Sequence, residues 1–178
     1  MKTSRIITLS VIGIAGMYLL SSCQSIPKGA TAVRPFEKER YLGKWFEIAR
    51  IDFRFEKNLN NTTAEYTLNE NGTIKVVNRG YNYVKSEWQT AEAKAKFRGD
   101  DSVAALKVSF FGPFYSGYNV IAIDEQYRYA LVAGKNLDYL WILARDKSIP
   151  EEVKTSYLKI ANDIGYDTGR LIWVEHNE

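Results

Sequence analysis

An alternation of apolar and polar residues at a period of two runs through most of this chain, and it constrains the fold more than any other feature. The alternation is clearest on the two sides of Asn71-Gly72, in residues 63–68 and 74–79. A type I′ turn needs positive φ at both central residues, so Asn-Gly is a strong hairpin signal. The sequence therefore predicts two antiparallel strands joined by a tight turn at this point.

The same period recurs further along the chain, and short polar or glycine-containing turns separate the runs. The runs cover residues 91–97, 106–110, 117–124, 127–133 and 137–144. Short strands at this even spacing, with no helices between them, are typical of an antiparallel sandwich or barrel. We therefore predict an all-β domain.

One helix is predicted late in the chain. Ser148 and Glu151 have the spacing of a capping box, Pro150 suits the first turn, and Gly165 suits the end. Between them runs one apolar stripe, formed by Val153, Tyr157, Ile160, Ala161 and Ile164. We expect this stripe to pack against the outside of the sheet, with a membrane or partner helix as the alternative. Residues 171–174 then predict a short final strand.

The amino-terminal residues are typical of an export signal. Lys2 and Arg5 precede an apolar run over residues 6–20, which is shorter than the roughly 20 residues that a membrane-spanning helix needs. Residues 20–23, Leu-Ser-Ser-Cys, resemble the lipobox of bacterial lipoproteins. The resemblance implies that residues 1–22 are a signal peptide and that Cys23 carries an N-acyl chain and an S-diacylglycerol. An aspartate directly after the cysteine resembles a signal for retention in the inner membrane, so Gln24 at that position favours the outer membrane. A secreted or membrane-anchored protein with a buried free thiol is the alternative.

Residues 23–35 are predicted to be the lipidated amino terminus and a flexible tether, and residues 36–178 the folded domain. Without Lys2 and Arg5 the formal net charge falls by two, from +3 to +1. No strong basic field remains, so we expect no nucleic-acid partner. The only histidine is His176, in a tail expected to be disordered. With one cysteine, and with no catalytic set or metal-ligand cluster in the sequence, we predict neither an enzyme nor a cofactor beyond the lipid on Cys23.

Three motifs carry a resemblance to a known family. Gly43-Lys44-Trp45 resembles the G-x-W signature of the lipocalins, Asp124 and Tyr127 resemble their second motif, and Arg145 resembles the third. The motifs stand in the family's order, with the helix after them. The segments KVSFFGPFYSGYNVIAID, YLWILAR and LIWV further resemble the bacterial outer-membrane lipoproteins of this family, which are related to apolipoprotein D.

The resemblance implies an eight-stranded up-and-down antiparallel barrel with one C-terminal α-helix and a short final strand. Such a barrel is just wide enough to hold one small apolar ligand. Gly43, Trp45 and Arg145 would close one end, with the Arg145 guanidinium stacked on the Trp45 indole. Their predicted role is structural.

The alternation assigns an inward face to each strand and so predicts the ligand-binding residues. On the later strands both faces are apolar, so alternation alone does not show which face points inward. There the inward face is assigned by analogy with lipocalins, from the position of each residue relative to the Asp124 and Arg145 motifs. Ordinary core packing is the alternative for each residue. The predicted ligand contacts are Tyr66, Val76, Asn78, Ala93, Leu106, Val108, Phe110, Tyr118, Val120, Leu131, Tyr139, Trp141 and Leu143.

The family then implies a function. We expect a protein that stores or transports fatty acids or lysophospholipids at the bacterial outer membrane, in envelope maintenance under stress. A structural or assembly lipoprotein of the envelope, with no essential ligand, is the alternative. Outward aromatic residues such as Tyr81, Tyr83 and Trp88 could build a homodimer interface. Residues 110–115, rich in phenylalanine, could place aromatic side chains near the mouth of the barrel.

Overall fold

The computed structural model describes residues 25–177. Nine strands and two helices follow one another along this part of the chain. They are α1 (Lys38–Tyr41), β1 (Gly43–Ile51), β2 (Leu59–Leu68), β3 (Ile74–Asn82), β4 (Glu87–Phe97), β5 (Ala105–Phe111), β6 (Phe114–Ile123), β7 (Tyr129–Ala133), β8 (Leu140–Ala144), α2 (Glu151–Ile164) and β9 (Leu171–Trp173), with a 3₁₀ turn at Thr168–Arg170 before β9.

The first eight strands form a closed antiparallel barrel. Each pairs with the next along the chain, and β1 closes the ring by pairing with both β8 and β2. The pairing of β1 with β2 runs from Gly43 opposite Tyr66 to Phe46 opposite Thr63. Beyond that point the two strands separate, and β9 pairs with β1 on the outside of the barrel. The predicted fold class is confirmed.

The β2–β3 hairpin is confirmed, but its turn type is not the predicted one. The loop has five residues, and it closes with a hydrogen bond from Asn69 N–H to the Thr73 carbonyl. Only Gly72 in this loop has positive φ, at +76°. The Asn71 side chain instead accepts from the Thr73 N–H at 3.1 Å. An Asx-type turn followed by one left-handed glycine therefore replaces the type I′ turn.

Two apolar layers lie on the two faces of the barrel wall. The inner layer fills the end of the barrel that contains Trp45. The outer layer lies between α2 and strands β1, β7 and β8. Tyr157 and Ala161 of α2 are buried in the outer layer, as the apolar stripe predicts. Gly165 ends the helix at φ +107°. The capping box does not form, because Pro150 is the N-cap residue and no side chain caps the helix.

The carboxyl-terminal residues cover the gap where β1 and β2 separate. Val174 N–H donates to the Ile48 carbonyl, and Asn61 N–H donates to the Glu175 carbonyl. The His176 Nε2 atom lies 2.8 Å from the Glu47 carbonyl oxygen. The expectation of a disordered tail is therefore wrong, because the tail supplies backbone partners that β2 no longer gives to β1.

Residues 25–35 lack regular structure, yet they pack on the barrel. Val33 is hydrogen bonded through its backbone to Ala104 and Val120. Further toward the amino terminus, the Asn119 side chain donates to the Ser25 carbonyl at 2.9 Å. The prediction of a flexible tether is therefore wrong for these residues. The signal peptide and Cys23 lie outside the described residues. Across residues 25–177, no helix is long and apolar enough to span a membrane.

Candidate ligand-binding cavity

A cavity of about 1050 Å³ occupies the inside of the barrel. Most of its wall is apolar and comes from β1 to β6 and β8. Loops 52–58, 83–86, 112–113 and 134–139 surround its open end. A cleft of this size, mainly apolar with a few polar groups, is the usual form of a small-molecule site.

The closed end is built on Trp45 and Arg145. The guanidinium carbon of Arg145 lies 3.8 Å from the centroid of the Trp45 ring. Arg145 also donates to the carbonyl oxygens of Arg40, Leu42 and Lys44, at 2.7 to 2.9 Å. The structure thus brings the two predicted residues together. Burial lowers the pKa of Arg145 from its ordinary value, but a guanidinium stays charged at any physiological pH.

Gly43 lets the chain enter β1 beneath this stack. Its φ is +88°, in the left-handed region that favours glycine. A Cβ atom added there would lie 3.7 Å from the Arg145 guanidinium. The three residues predicted to close the barrel therefore form one unit.

Three tyrosine hydroxyls form the floor of the cavity above Trp45. Tyr118 Oη lies 2.6 Å from Tyr41 Oη and 2.7 Å from Tyr66 Oη. Burial raises the pKa of Tyr66 to about 12 and the pKa values of Tyr41 and Tyr118 well above the ordinary range. All three groups therefore stay neutral and satisfy one another. Sequence reasoning missed Tyr41, because it lies on a four-residue helix outside the strand pattern.

Ten of the thirteen predicted ligand contacts lie on the cavity wall. They are Tyr66, Val76, Asn78, Leu106, Val108, Phe110, Tyr118, Tyr139, Trp141 and Leu143. Ala93 and Val120 face the same interior but are packed within its apolar layer, away from the cavity wall. Contact between any of these side chains and a ligand stays a prediction.

The inward placement of Leu131 is wrong. Leu131 is fully buried in the outer layer, under α2, while its neighbours Ala130 and Val132 face the interior. The register of β6 against β7 shifts between Val120 and Ala122. Such a bulge reverses the inward and outward faces beyond it. The prediction that Leu131 faces inward counted the alternation from the Asp124 motif without this bulge, and so it assigned the wrong face of β7 to the interior.

Sequence reasoning also missed a buried charged cluster near the open end. Arg50 is 1% exposed, and it donates from Nη1 to Glu47 Oε1 at 2.8 Å and from Nε to Asp52 Oδ1 at 3.2 Å. Its Nη2 atom donates to the carbonyl oxygens of Glu56 and Leu59. A register shift between Glu47 and Ala49 turns Glu47 and Arg50 to the same side. Two charged residues in a buried strand were the signal that could have revealed the cluster.

Glu56 completes this cluster from the loop after β1. Its Oε2 atom accepts from Trp141 Nε1 at 3.0 Å. Burial raises the pKa of Glu56 well above its ordinary value, and the nearby Glu47 charge adds to the rise. Burial also raises the pKa of Glu47, against the opposing effect of Arg50. Within residues 25–177, no group of histidine, cysteine and acidic side chains is arranged to hold a metal ion.

Exposed aromatic side chains surround the open end. Phe111 and Phe114, which flank the β5–β6 turn, are 70% and 80% exposed, and Phe55 is 58% exposed. Phe110 and Tyr115 lie beside them on the cavity wall. The mouth therefore presents apolar surface to the solvent, an arrangement that often marks a site of contact with lipid or protein.

An eight-stranded antiparallel barrel with a Trp–Arg closed end, an apolar cavity and one helix on its wall defines the lipocalin class of binding proteins. Comparison with known proteins agrees: the family model described as a lipocalin-like domain matches residues 36–176 of this sequence. Insecticyanin from the tobacco hornworm Manduca sexta superposes with a TM-score of 0.67 at 20% identity, over 84% of this chain and 85% of that one. This likeness shows the fold alone.

The curated relatives are closer in sequence. The chain is 52% identical to the outer membrane lipoprotein Blc of Citrobacter freundii over 167 residues, which are 93% of this chain and 94% of that protein. It is 34% identical to apolipoprotein D of Rattus norvegicus, over 85% of this chain and 86% of that protein. The chain belongs to the lipocalin family. Its relationship to the Blc proteins identifies it as a lipoprotein of the bacterial outer membrane. The same relationship places it among binding proteins rather than enzymes.

Proposed function

We propose that this protein is a lipid carrier, held on the outer membrane by acyl chains on Cys23, whose barrel takes up one fatty acid or lysophospholipid. The cavity carries the proposal. It has about 1050 Å³ of space, it is mainly apolar, and it opens at one end among exposed aromatic side chains. A linear acyl chain suits an apolar space of this size.

The acyl chain supplies the driving force. Burial of one CH₂ group is worth about 0.8 kcal/mol, so a chain of 14 to 18 carbons gains roughly 11 to 14 kcal/mol before the costs of binding. The neutral tyrosine floor would meet the end of the chain, because its three hydroxyls already satisfy one another. The carrier would thus hold its ligand by the chain.

The proposed anchor is the amide-linked acyl chain and the diacylglycerol on Cys23. One chain alone binds a bilayer marginally, whereas two or more make the attachment stable. Gln24 after the cysteine supports delivery to the outer membrane. An anchored carrier that collects fatty acids or lysophospholipids there would serve envelope maintenance under stress.

Native mass spectrometry tests the carrier. Protein purified from its own cells in a mild detergent should carry about one lipid per barrel, and fatty acids and lysophospholipids should then compete for the emptied barrel in a saturable way. Absence of copurified lipid together with absence of saturable binding would contradict the proposal. It would favour the alternative function, an assembly lipoprotein without an essential ligand.

A homodimer is also proposed. Trp88 on β4 is 39% exposed and Tyr83 in the β3–β4 loop is 56% exposed, and Ile172 and Trp173 of β9 are exposed as well. Light scattering of the purified protein, with and without Trp88→Glu, tests this surface. A monomer at all concentrations would contradict the dimer.

A further inference from the structure

A row of basic side chains lies on the outer surface of the barrel, at β4, β5 and the loop between them. This basic strip consists of Lys94, Lys96, Arg98 and Lys107. Ala95 and Leu106, the strand neighbours of Lys96 and Lys107, are buried in the inner layer. Because successive residues of a strand point to opposite faces, the lysine side chains point outward, away from the cavity.

The basic strip extends across the wall to the first described residue. Lys96 pairs with Lys107 across β4 and β5, and Lys107 pairs with Gly117 across β5 and β6. The Ser25 backbone packs on Gly117. Neighbouring strands lie about 4.8 Å apart, so Ser25 and Lys107 are neighbours on this surface. The Arg98 guanidinium donates to the Ser25 hydroxyl and so joins the amino-terminal segment to the strip.

No carboxylate neutralises the basic strip within residues 25–177. The acidic residues on the adjoining parts of β4 and of the β4–β5 loop pair with other cations, Glu92 with Lys75, Asp100 with Arg34 and Asp101 with Lys38. The strip is therefore a local positive surface that the protein itself leaves without counter-charges in this part of the chain.

Two members of the strip also repel each other. Lys96 and Lys107 stand directly opposite on neighbouring strands, and like charges in that position destabilise a sheet. The Tyr115 ring attracts both, since Lys96 Nζ lies 4.9 Å and Lys107 Nζ 5.4 Å from its centroid. The ring carries no net charge, so the repulsion is only partly relieved. An anionic partner would remove it.

We propose that the basic strip is the face with which the barrel lies on its membrane, bound to the phosphates of anionic lipid head groups. This inference rests on the proposed anchor at Cys23, which precedes Ser25 by two residues. Acyl chains on Cys23 would bring the bilayer surface to the end of the strip where Arg98 and Lys107 lie. Basic residues held close to an anionic bilayer strengthen binding to it. Tyr115 adds an amphipathic ring of the kind that is enriched at bilayer surfaces.

The proposal sets the orientation of the barrel. The basic strip is on the wall at β4 and β5, whereas α2 covers β1, β7 and β8 on the opposite wall. The helix would therefore face away from the bilayer. The mouth would open along the membrane surface rather than into it.

Vesicle binding tests the strip without the anchor. Residues 24–178 contain every strand and helix of the described structure, and they are mixed with vesicles of phosphatidylcholine, alone or in equal parts with phosphatidylglycerol. Sedimentation should show binding to the anionic vesicles only, and high salt should weaken it. Lys96→Gln together with Lys107→Gln should weaken this binding about 25-fold, because each basic residue near an anionic surface contributes about fivefold.

A control pair makes the same change of charge on the other wall. Lys147→Gln together with Lys159→Gln removes two exposed lysines before and on α2, and this variant should bind anionic vesicles nearly as well as the parent chain. Circular dichroism confirms that both double variants fold. Equal losses in the two pairs, or no binding of the parent chain to anionic vesicles, overturn the basic strip as a docking face.

Lysine acetylation reports the orientation of the anchored protein. The full lipoprotein from cells is inserted into the outer leaflet of the same two kinds of vesicle and treated with a reagent that does not cross membranes. By mass spectrometry, Lys96 and Lys107 should react much more slowly on anionic than on neutral vesicles, while Lys147 and Lys159 react equally on both. Equal reaction of all four on both vesicles overturns the proposal, leaves the anchor intact and favours an acidic protein as partner. Release of the protein from neutral vesicles would instead contradict the anchor.

Discussion

Arg145 covers Trp45 at the bottom of the barrel, with its guanidinium carbon 3.8 Å from the centre of the indole. The Trp45 Nε1 atom donates to the Tyr41 carbonyl at 2.7 Å, and the residue is completely buried. The stack therefore connects the last barrel strand to the segment that enters the first. A cation–π contact of this kind contributes roughly 0.5 to 2 kcal/mol beyond the packing of the ring.

Removal of the Trp45 ring should destabilise the protein strongly. Trp45→Ala leaves a large buried hole and an unpaired carbonyl, so we expect a loss of about 3 to 5 kcal/mol in the free energy of unfolding. Urea denaturation followed by circular dichroism measures it. The control is Trp173→Ala, which removes a ring that is 42% exposed on β9 and should lose far less. Equal losses in the two variants would contradict a structural role for Trp45.

Loss of the anchor cysteine should release the protein from the membrane. Cys23→Ala removes the thiol that would be acylated, so cells should contain an uncut or soluble chain that labelled palmitate does not mark. Fractionation and metabolic labelling measure the change. Lipid label on this variant would disprove the lipobox assignment.

A negative charge in place of Trp141 should abolish lipid binding. Trp141 lines the cavity and donates to Glu56, so Trp141→Glu would put a second carboxyl group beside the first in an apolar space. Burial of an unpaired carboxylate costs several kcal/mol unless it binds a proton. Fluorescent fatty-acid displacement measures binding, with thermal unfolding measured separately. Trp88→Glu makes the same change on the outer surface, and normal lipid binding is expected there.

The stability of the protein should depend on pH through Glu56. Its pKa is raised by burial, so the folded state binds a proton more tightly than the unfolded state does. The resulting stability is fully present below the unfolded pKa of about 4.3 and is lost as the pH rises through the raised folded value. Glu56→Gln cannot lose a proton there, so its stability should fall less than that of the parent protein over this range. Parallel curves of unfolding free energy against pH would contradict the raised pKa.

A methyl group at Gly117 should displace the amino-terminal segment. A Cβ atom there would lie 1.9 Å from the Ser25 carbonyl oxygen, far inside contact distance, and the obstacle is backbone. Gly117→Ala should therefore increase hydrogen exchange at residues 25–33 while the barrel strands keep their protection. Gly99→Ala is the control, because a Cβ atom at Gly99 meets nothing within 4 Å. Unchanged exchange in Gly117→Ala would mean that the segment does not pack where the structure places it.

The sequence predicted the features that local pattern and motif determine. Strand positions follow from alternation, and the meeting of Trp45 with Arg145 follows from family motifs far apart in the chain. The face of Leu131 could not be predicted, because a bulge around Ile121 in the neighbouring strand reverses the count. The contacts of Arg50 with the carbonyl oxygens of Glu56 and Leu59 were equally out of reach, since alternation indicates which residues share a face and gives no distances between atoms.

The packing of Ser25 on the barrel changes how far an anchored carrier could move. A free tether of a dozen residues has a mean reach of about 20 Å, whereas only Cys23 and Gln24 separate the proposed lipid anchor from Ser25. Two residues span at most about 7 Å. A barrel attached by so short a connection stays against its own membrane. Any transfer of cargo to another membrane would then need a second protein, or a second membrane that comes to meet it.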